Sequence, residues 1–155
     1  MLRIGVKPQI IEILMSAERG GTMISFESVI AIAGSGLSGD RYAIAQNRNG
    51  DYYQVTLIEI ENITQYNSNS LQAYTAADMR RNLVTQGVRL NEFVGKRFLI
   101  GDEVMLDGLE LCEPCSLLAN RTHSSIVKGL LHRGGLRARI VSCGEISVGD
   151  SISLS

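Results

Sequence analysis

Late in the chain two cysteines, Cys112 and Cys115, stand two residues apart in the stretch LCEPCSLLAN. Cysteines at that spacing serve one of four ends. They are half of a zinc site, which needs a second pair of ligands. They are a redox pair, when a strand leads in and a helix leads out so that the helix N-terminus stabilises a thiolate. They are one reactive thiol with a neighbour, or two small buried hydrophobes. For zinc the other candidates are Cys143, His123 and His132, none paired at ligand spacing. For redox chemistry ELC has strand character and SLLAN permits a helical turn, but the surrounding βαβ pattern of that motif is missing. As a single reactive thiol, Cys115 is the better of the two. Pro114 before it suits the first turn of a helix, and a helix dipole and nearby cations both favour a thiolate. Such a thiolate binds a soft metal or carries sulfur as a persulfide. Cys112 and Cys143 read as buried or structural side chains.

The cations are close by in sequence. Residues 116–144 hold Arg121, Lys128, Arg133, Arg137, Arg139, His123 and His132, and no aspartate or glutamate. A glycine-rich, acid-free basic stretch beside a cysteine is what a phosphate or another anion needs. Arg80 and Arg81 in DMRRN add to it. On a strand Arg137 and Arg139 share a face, and the expectation is that they clamp one anion together. The alternative is a solvated basic face paired with carboxylates from elsewhere in the fold. Nucleic acid is not expected as a partner, because the isoelectric point is about 6.1 and no aromatics interleave the basic residues.

The elements that must position these groups are mostly strands. QIIEILMSA, TMISFESVIAIAG after the turn ERGG, and YYQVTLIEI after the turn NRNG alternate apolar and β-branched residues. FVGKRFLIGDEVMLDGLEL reads as two strands hinged on Gly101 and Asp102, and IVSCGEISVGDSISLS repeats the form around Gly149 and Asp150. Earlier, at residues 34–43, GSGLSGDRYA reads as a loop whose backbone approaches something closely, or as plain turn chemistry. Ile60 to Gln65 opens a short helix followed by a polar loop, NSNS. Thr75 caps a helical turn, and SSIVKGLLH is a helix capped by Ser124 or Ser125 and ended by Gly134 and Gly135. The fold expected is mainly β, an all-β barrel or sandwich with one or two helices as plugs or lids.

The chain has 155 residues, 45% of them hydrophobic and 20% charged, so residues 1–155 are read as one globular domain able to bury a core. Its apolar runs are short and the start MLRIGVKPQI has no long apolar core, so neither a membrane nor export is expected and the cytoplasm is the expected home. In that reducing compartment an odd number of cysteines argues against a disulfide framework.

Taken in order, GLSGDRYA, VTLIEIENI, DMRRNLVTQGVRL, FVGKRFLIGDEVML, LCEPC and GLRARIVSCGEISVGD resemble the signature blocks of the MOSC domain family, named for the C-terminal domain of molybdenum cofactor sulfurases. The resemblance runs from about Gly36 to the end. It implies a mostly β, barrel-like fold with a few short helices and a pocket holding one key cysteine, here Cys115. It implies that this cysteine handles sulfur or coordinates the molybdenum of a pterin cofactor, molybdopterin, whose phosphate basic residues hold. By position, Arg81 and Asn82 match the family's arginine–asparagine block, and Arg137 and Arg139 match the basic strand before the last hinge. Asp40 and Arg41 match the GDR block, where Tyr42 replaces a histidine common in the family. The function implied is a stand-alone protein that binds molybdenum cofactor or carries sulfur on Cys115. Its expected partners are a sulfur donor or acceptor protein, since no pyridoxal-phosphate domain is present to take sulfur from free cysteine. Two further readings follow: a molybdenum-dependent reductase component for N-hydroxylated substrates, fed by a separate electron-transfer reductase, and a non-enzymatic module that binds an ordinary anion.

Overall fold

The computed structural model describes residues 5–45 and 53–155. The turn NRNG at 47–50, Tyr52 and the first four residues lie outside the described residues. Among the described residues, eleven strands are interspersed with five short α-helices and one 3-10 turn, Leu90–Phe93. The strands are β1 (Gln9–Met15), β2 (Ile24–Phe26), β3 (Ser28–Ile32), β4 (Gly36–Leu37), β5 (Val55–Glu59), β6 (Leu83–Gln86), β7 (Arg97–Ile100), β8 (Val104–Leu111), β9 (Leu136–Ile140), β10 (Gly144–Ser147) and β11 (Ile152–Leu154). The helices are α1 (Arg41–Ile44), α2 (Ile60–Ser70), α3 (Ala76–Met79), α4 (Ser116–Arg121) and α5 (Ile126–Gly129).

The main sheet has eight strands in the order β11-β7-β8-β9-β5-β6-β1-β2, and a small second sheet has the order β10-β3-β4. The large sheet curls until its ends nearly meet. Gln9 bridges Ser151, Ile10 N–H donates to the Asp150 carbonyl at 2.8 Å, and Gly149 N–H donates to the Ile10 carbonyl at 2.7 Å. The result is the barrel-like, mainly β fold the sequence implies.

One pair departs from the expected meander. β5 and β6 run parallel, joined by α2 and α3 as a crossover. A strand so placed is covered on both faces, which is why all five residues of β5 are buried. Leu57 joins the barrel interior with Ile10, Phe98, Leu106 and Leu136. Ile58 points the other way, into a second core with Leu14, Met79, Leu118, Ile126 and Leu130. The helices therefore lie as a layer over one side of the barrel, in place of the one or two plugs expected.

Three local outcomes differ from the sequence reading. NSNS is the last turn of α2, because Asn62, Ile63 and Tyr66 bury one face of that helix and Asn67 is held by donating to the Tyr74 carbonyl at 2.7 Å. Tertiary packing has overridden weak helix propensity there. The two strands around Gly149 and Asp150 exist but do not pair with each other: β10 pairs β3 and β11 pairs β7. GSGLSGDRYA holds the short strand β4, and its Asp40 caps α1 by accepting from Tyr42 N–H at 3.2 Å.

The glycine pair before β9 is required by contact. A Cβ on Gly134 would overlap the Cys112 carbonyl, and one on Gly135, at φ +107°, would overlap the Leu57 carbonyl. Both positions let the turn ahead of β9 press against the end of β8 and against β5.

Candidate functional site

β8 ends at Leu111 and the chain passes through Glu113 and Pro114 to Cys115, the N-cap of α4. Cys112 is 3% exposed and buried, whereas Cys115 is exposed, and all three cysteines are free thiols. The strand-to-helix form expected of LCEPCSLLAN is present, with Pro114 just outside the helix instead of in its first turn. Cys112 is the small buried side chain it was read as. Cys143 is exposed and accepts from Ala33 N–H at 3.3 Å.

Two anchors fix the loop that carries Cys115. Arg81 Nη2 donates to the Cys112 carbonyl at 3.1 Å and Nε to the Gly134 carbonyl at 2.9 Å, while Nη1 holds the Met79 carbonyl at 3.1 Å. The planar fork of an arginine is what lets one side chain tie three segments together. On the other side Glu113 accepts from His132 Nδ1 at 2.6 Å and from His132 N–H at 2.7 Å, with His132 in the left-handed region at φ 63°.

Beneath this lies a buried polar knot. Asn82 and Asp40 are both 0% exposed. The Asn82 amide donates to the Leu14 carbonyl at 3.1 Å and to Asp40 at 3.2 Å, and its oxygen accepts from Thr56 N–H and Oγ1 at 3.1 and 3.2 Å. Asp40 also accepts from Ser16 N–H at 3.2 Å and from Arg41 at 3.0 Å. Burial of an aspartate at this depth is tolerable because each oxygen has partners. Arg81, Asn82 and Asp40 thus spend their polar atoms inside the protein.

Arg41 reaches outward from the knot. Its guanidinium lies 4.4 Å over the Tyr42 ring and donates to the Arg80 carbonyl at 3.4 Å. Arg80, at φ 59°, donates to the Gly21 carbonyl at 2.6 Å. A cleft of about 280 Å³ opens here, lined by Gly20, Gly21, Met23, Asp78, Arg80 and Arg121 among others. The Arg121 guanidinium comes within 3.0 Å of where a Gly20 Cβ would sit, so ERGG forms a cleft wall as well as a turn. Burial, followed by the cations of Arg41 and Arg121, pushes Arg80 below the usual arginine range. Positive charge is concentrated here beyond what Asp40 and Asp78 balance, which is a setting for an anion. Arg121 is the last residue of α4 and Cys115 its cap, so a helix rising about 9 Å over six residues joins the thiol to the cleft.

Arg137 and Arg139 do not converge as a clamp. A register shift in β8 between Gly108 and Glu110 gives each arginine its own acid. Arg139 Nη2 binds Asp107 at 3.0 Å, where Arg97 also binds at 2.8 Å, and Arg137 Nε lies 3.6 Å from Glu110. The Arg137 guanidinium sits 5.0 Å over the Tyr53 ring, with Nη1 buried and without a hydrogen-bond partner. Burial acts to lower Arg137, but the Cys112 thiol and then the Tyr42 and Tyr53 phenols outweigh it, and the net shift is upward. Tyr53 and the Gly20–Gly21 wall escaped the sequence reading. An aromatic before a strand and a glycine turn give no sign of what folds against them.

A family model described as the MOSC domain matches residues 45–153. Among solved structures the fold is similar to the YuaD protein from Bacillus subtilis, with a TM-score of 0.78 at 14% identity over 98% of this chain and 97% of that one. It is also similar to YiiM from Geobacillus stearothermophilus, with a TM-score of 0.70 at 16% identity over 96% of this chain and 75% of that one. YiiM from Escherichia coli gives 0.70 at 17% identity over 95% and 69%. No curated protein matches the sequence significantly.

Proposed function

Since this chain belongs to the MOSC domain family, we propose that it binds the molybdenum cofactor, with Cys115 as the protein's ligand to the metal and the Arg80–Arg121 cleft as the seat of the pterin's phosphate. The observation that carries this reading is the joining of an exposed cysteine and a crowded cationic cleft by the single helix α4.

The residues fit such a group. A thiolate is a soft donor suited to a soft, sulfur-bound metal. Among the described residues no three His, Cys, Asp or Glu side chains gather as a metal site. A metal held here would take Cys115 as its donor from this protein. A phosphate between Arg80 and Arg121 would offset the like-charge crowding that depresses Arg80. When bound, the cofactor supplies a redox-active metal centre. The chain's own part is to present Cys115 on a loop braced by Arg81 and Glu113, and to hold the anion.

Expression in a host that makes the cofactor, followed by elemental mass spectrometry, tests this. Molybdenum near one atom per chain is expected in the wild type, little in Cys115→Ser, and less than wild type in the Arg80→Ala/Arg121→Ala pair. Full molybdenum in Cys115→Ser would refute the ligand role.

The exposure of Cys115 favours a second reading, in which it carries sulfur as a persulfide. Incubation with glutathione persulfide should then add the mass of one sulfur atom to the wild type and none to Cys115→Ser.

A further inference from the structure

α4 is only six residues long. Helices shorter than about 12 residues are marginal in water, so one of this length stands only where packing pins it. Leu118 is its buried side chain, and Ala119 packs partly against the second core. Ser116, Leu117, Asn120 and Arg121 are exposed. The helix is therefore fixed at its middle and left to its ends. At one end Ala119 N–H donates to the carbonyl of Cys115 at 3.0 Å, and at the other Thr122 N–H donates to the Leu118 carbonyl at 3.0 Å. Opening the last turn removes half of what holds the backbone at Cys115 in place.

That last turn carries Arg121. Its guanidinium lies against Gly20, where a Cβ would meet Nη2 at 3.0 Å, yet it makes no hydrogen bond or ion pair among the described residues. Like charge surrounds it, since Arg121 and Arg41 both act on Arg80 across the cleft. The carboxylates in the same space do not answer these cations. Asp40 lies buried beneath and is bound to Arg41 at 3.0 Å, and Asp78 accepts from Thr75 N–H and Oγ1 at 2.8 and 3.0 Å. Glu18, beside Gly21, makes no ion pair among the described residues. A marginal helix thus ends on an unanswered cation facing an open cleft.

We propose that a phosphate dianion bridging Arg80 and Arg121 locks the last turn of α4 and, through that helix, fixes the backbone at Cys115. This rests on the cleft being the phosphate seat. Without the anion, repulsion between the two guanidiniums favours fraying of so short a helix. With it, each guanidinium gains charged hydrogen bonds and the repulsion is offset. Binding at one end of α4 and order at the other are then linked, and each strengthens the other by the same factor. A ligand that enters phosphate first prepares the cysteine loop for its other end.

Hydrogen exchange read by mass spectrometry tests this on the whole chain, in sodium chloride, in orthophosphate and in phenyl phosphate at one ionic strength. At phosphate about ten times its dissociation constant, exchange over Ala119–Thr122 is expected to slow about fivefold or more, within the roughly elevenfold limit that linkage sets. The cleft segments 19–23 and 77–81 slow with it. The effect is expected to vanish in Arg121→Ala and to persist in Lys128→Ala, which removes an exposed cation of α5 and leaves the cleft intact. Slowing by orthophosphate supports the lock with the free ion sufficient, and slowing by the ester alone supports it with the phosphate assigned to a larger molecule. Slowing at the cleft segments with α4 unchanged overturns the lock and leaves the phosphate seat standing, as does slowing of α4 that survives in Arg121→Ala. No phosphate-dependent change at either place overturns the seat and the lock together.

Discussion

Replacing Arg81 by alanine tests whether this residue is a brace for the cysteine loop. The side chain makes three charged hydrogen bonds, to the carbonyls of Gly134, Met79 and Cys112, at 2.9, 3.1 and 3.1 Å. Hydrogen bonds from charged donors are worth about 1.5–3 kcal/mol each, but three from one half-buried side chain are not additive, and water reaches part of the vacated space. A loss of about 3 kcal/mol in unfolding free energy is expected, corresponding to a melting temperature lower by about 9 °C for a domain of this size. Urea denaturation measures the first and calorimetry the second. Arg81→Lys should recover less than half, because an ammonium cannot bridge three carbonyls as a planar fork does. The loop reading adds a local effect that a general loss of stability does not. In the absence of denaturant, Cys115 should react several-fold faster with a maleimide in Arg81→Ala, while Cys143 reacts at its wild-type rate. A stability change below about 0.5 kcal/mol, or equal acceleration at both thiols, would refute the brace.

Three further outcomes follow from the structure. Gly135→Ala should cost at least 3 kcal/mol or abolish folding, seen as loss of a cooperative urea transition, since a Cβ there meets the Leu57 carbonyl at a φ that L-residues avoid. Asn82→Ala should cost about 3 kcal/mol or more by the same assay, because it strips partners from the fully buried Asp40 and Thr56. The pH dependence of stability should carry the mark of Asp107, whose carboxyl is held below its ordinary value of 3.8 by a hydrogen bond from Arg97, aided by Arg139 against the opposing effect of burial. With the folded-state value depressed, this contribution is complete above the unfolded value and vanishes as pH falls through the folded one. Wild type should exceed Asp107→Asn in urea midpoint near neutrality, with the gap closing below about pH 4.

What could be read in advance depended on the range of the interactions. Strands such as VTLIE and the two around Gly101 and Asp102 announce themselves by local alternation, and the structure has them where expected. The capping of α3 was also legible: Asp78 accepts from Thr75 N–H at 2.8 Å. The parallel course of β5 and β6 was not, since nothing local tells VTLIE whether its neighbour runs with it or against it. The partners of Arg137 and Arg139 were hidden for a related reason. The acid-free window 116–144 omits Asp107 and Glu110, which arrive from β8 by strand pairing. The order of the cysteines in space was legible: Cys112 read as a buried side chain and Cys115 as the reactive one, and the structure buries the first and exposes the second. Arg81 looked like a ligand-binding arginine, and at this site its guanidinium has three backbone carbonyls to satisfy. No window of sequence contains Gly134, Met79 and Cys112 together.

The seam between Gln9–Ile10 and Gly149–Ser151 bears on how the molecule is made. It joins positions some 140 residues apart, among the most distant pairings the chain contains, and a barrel that depends on it has high contact order. Ordering that much chain before its reward arrives slows folding, toward the millisecond-to-second range of barrels rich in non-local pairs. On a ribosome β1 would leave the exit tunnel long before residues 149–151 exist. Until then Ile10 would lack its 2.8 Å bond to Asp150, and the backbone of the first strand would have to wait beside β6 and β2 with its seam end open to other chains.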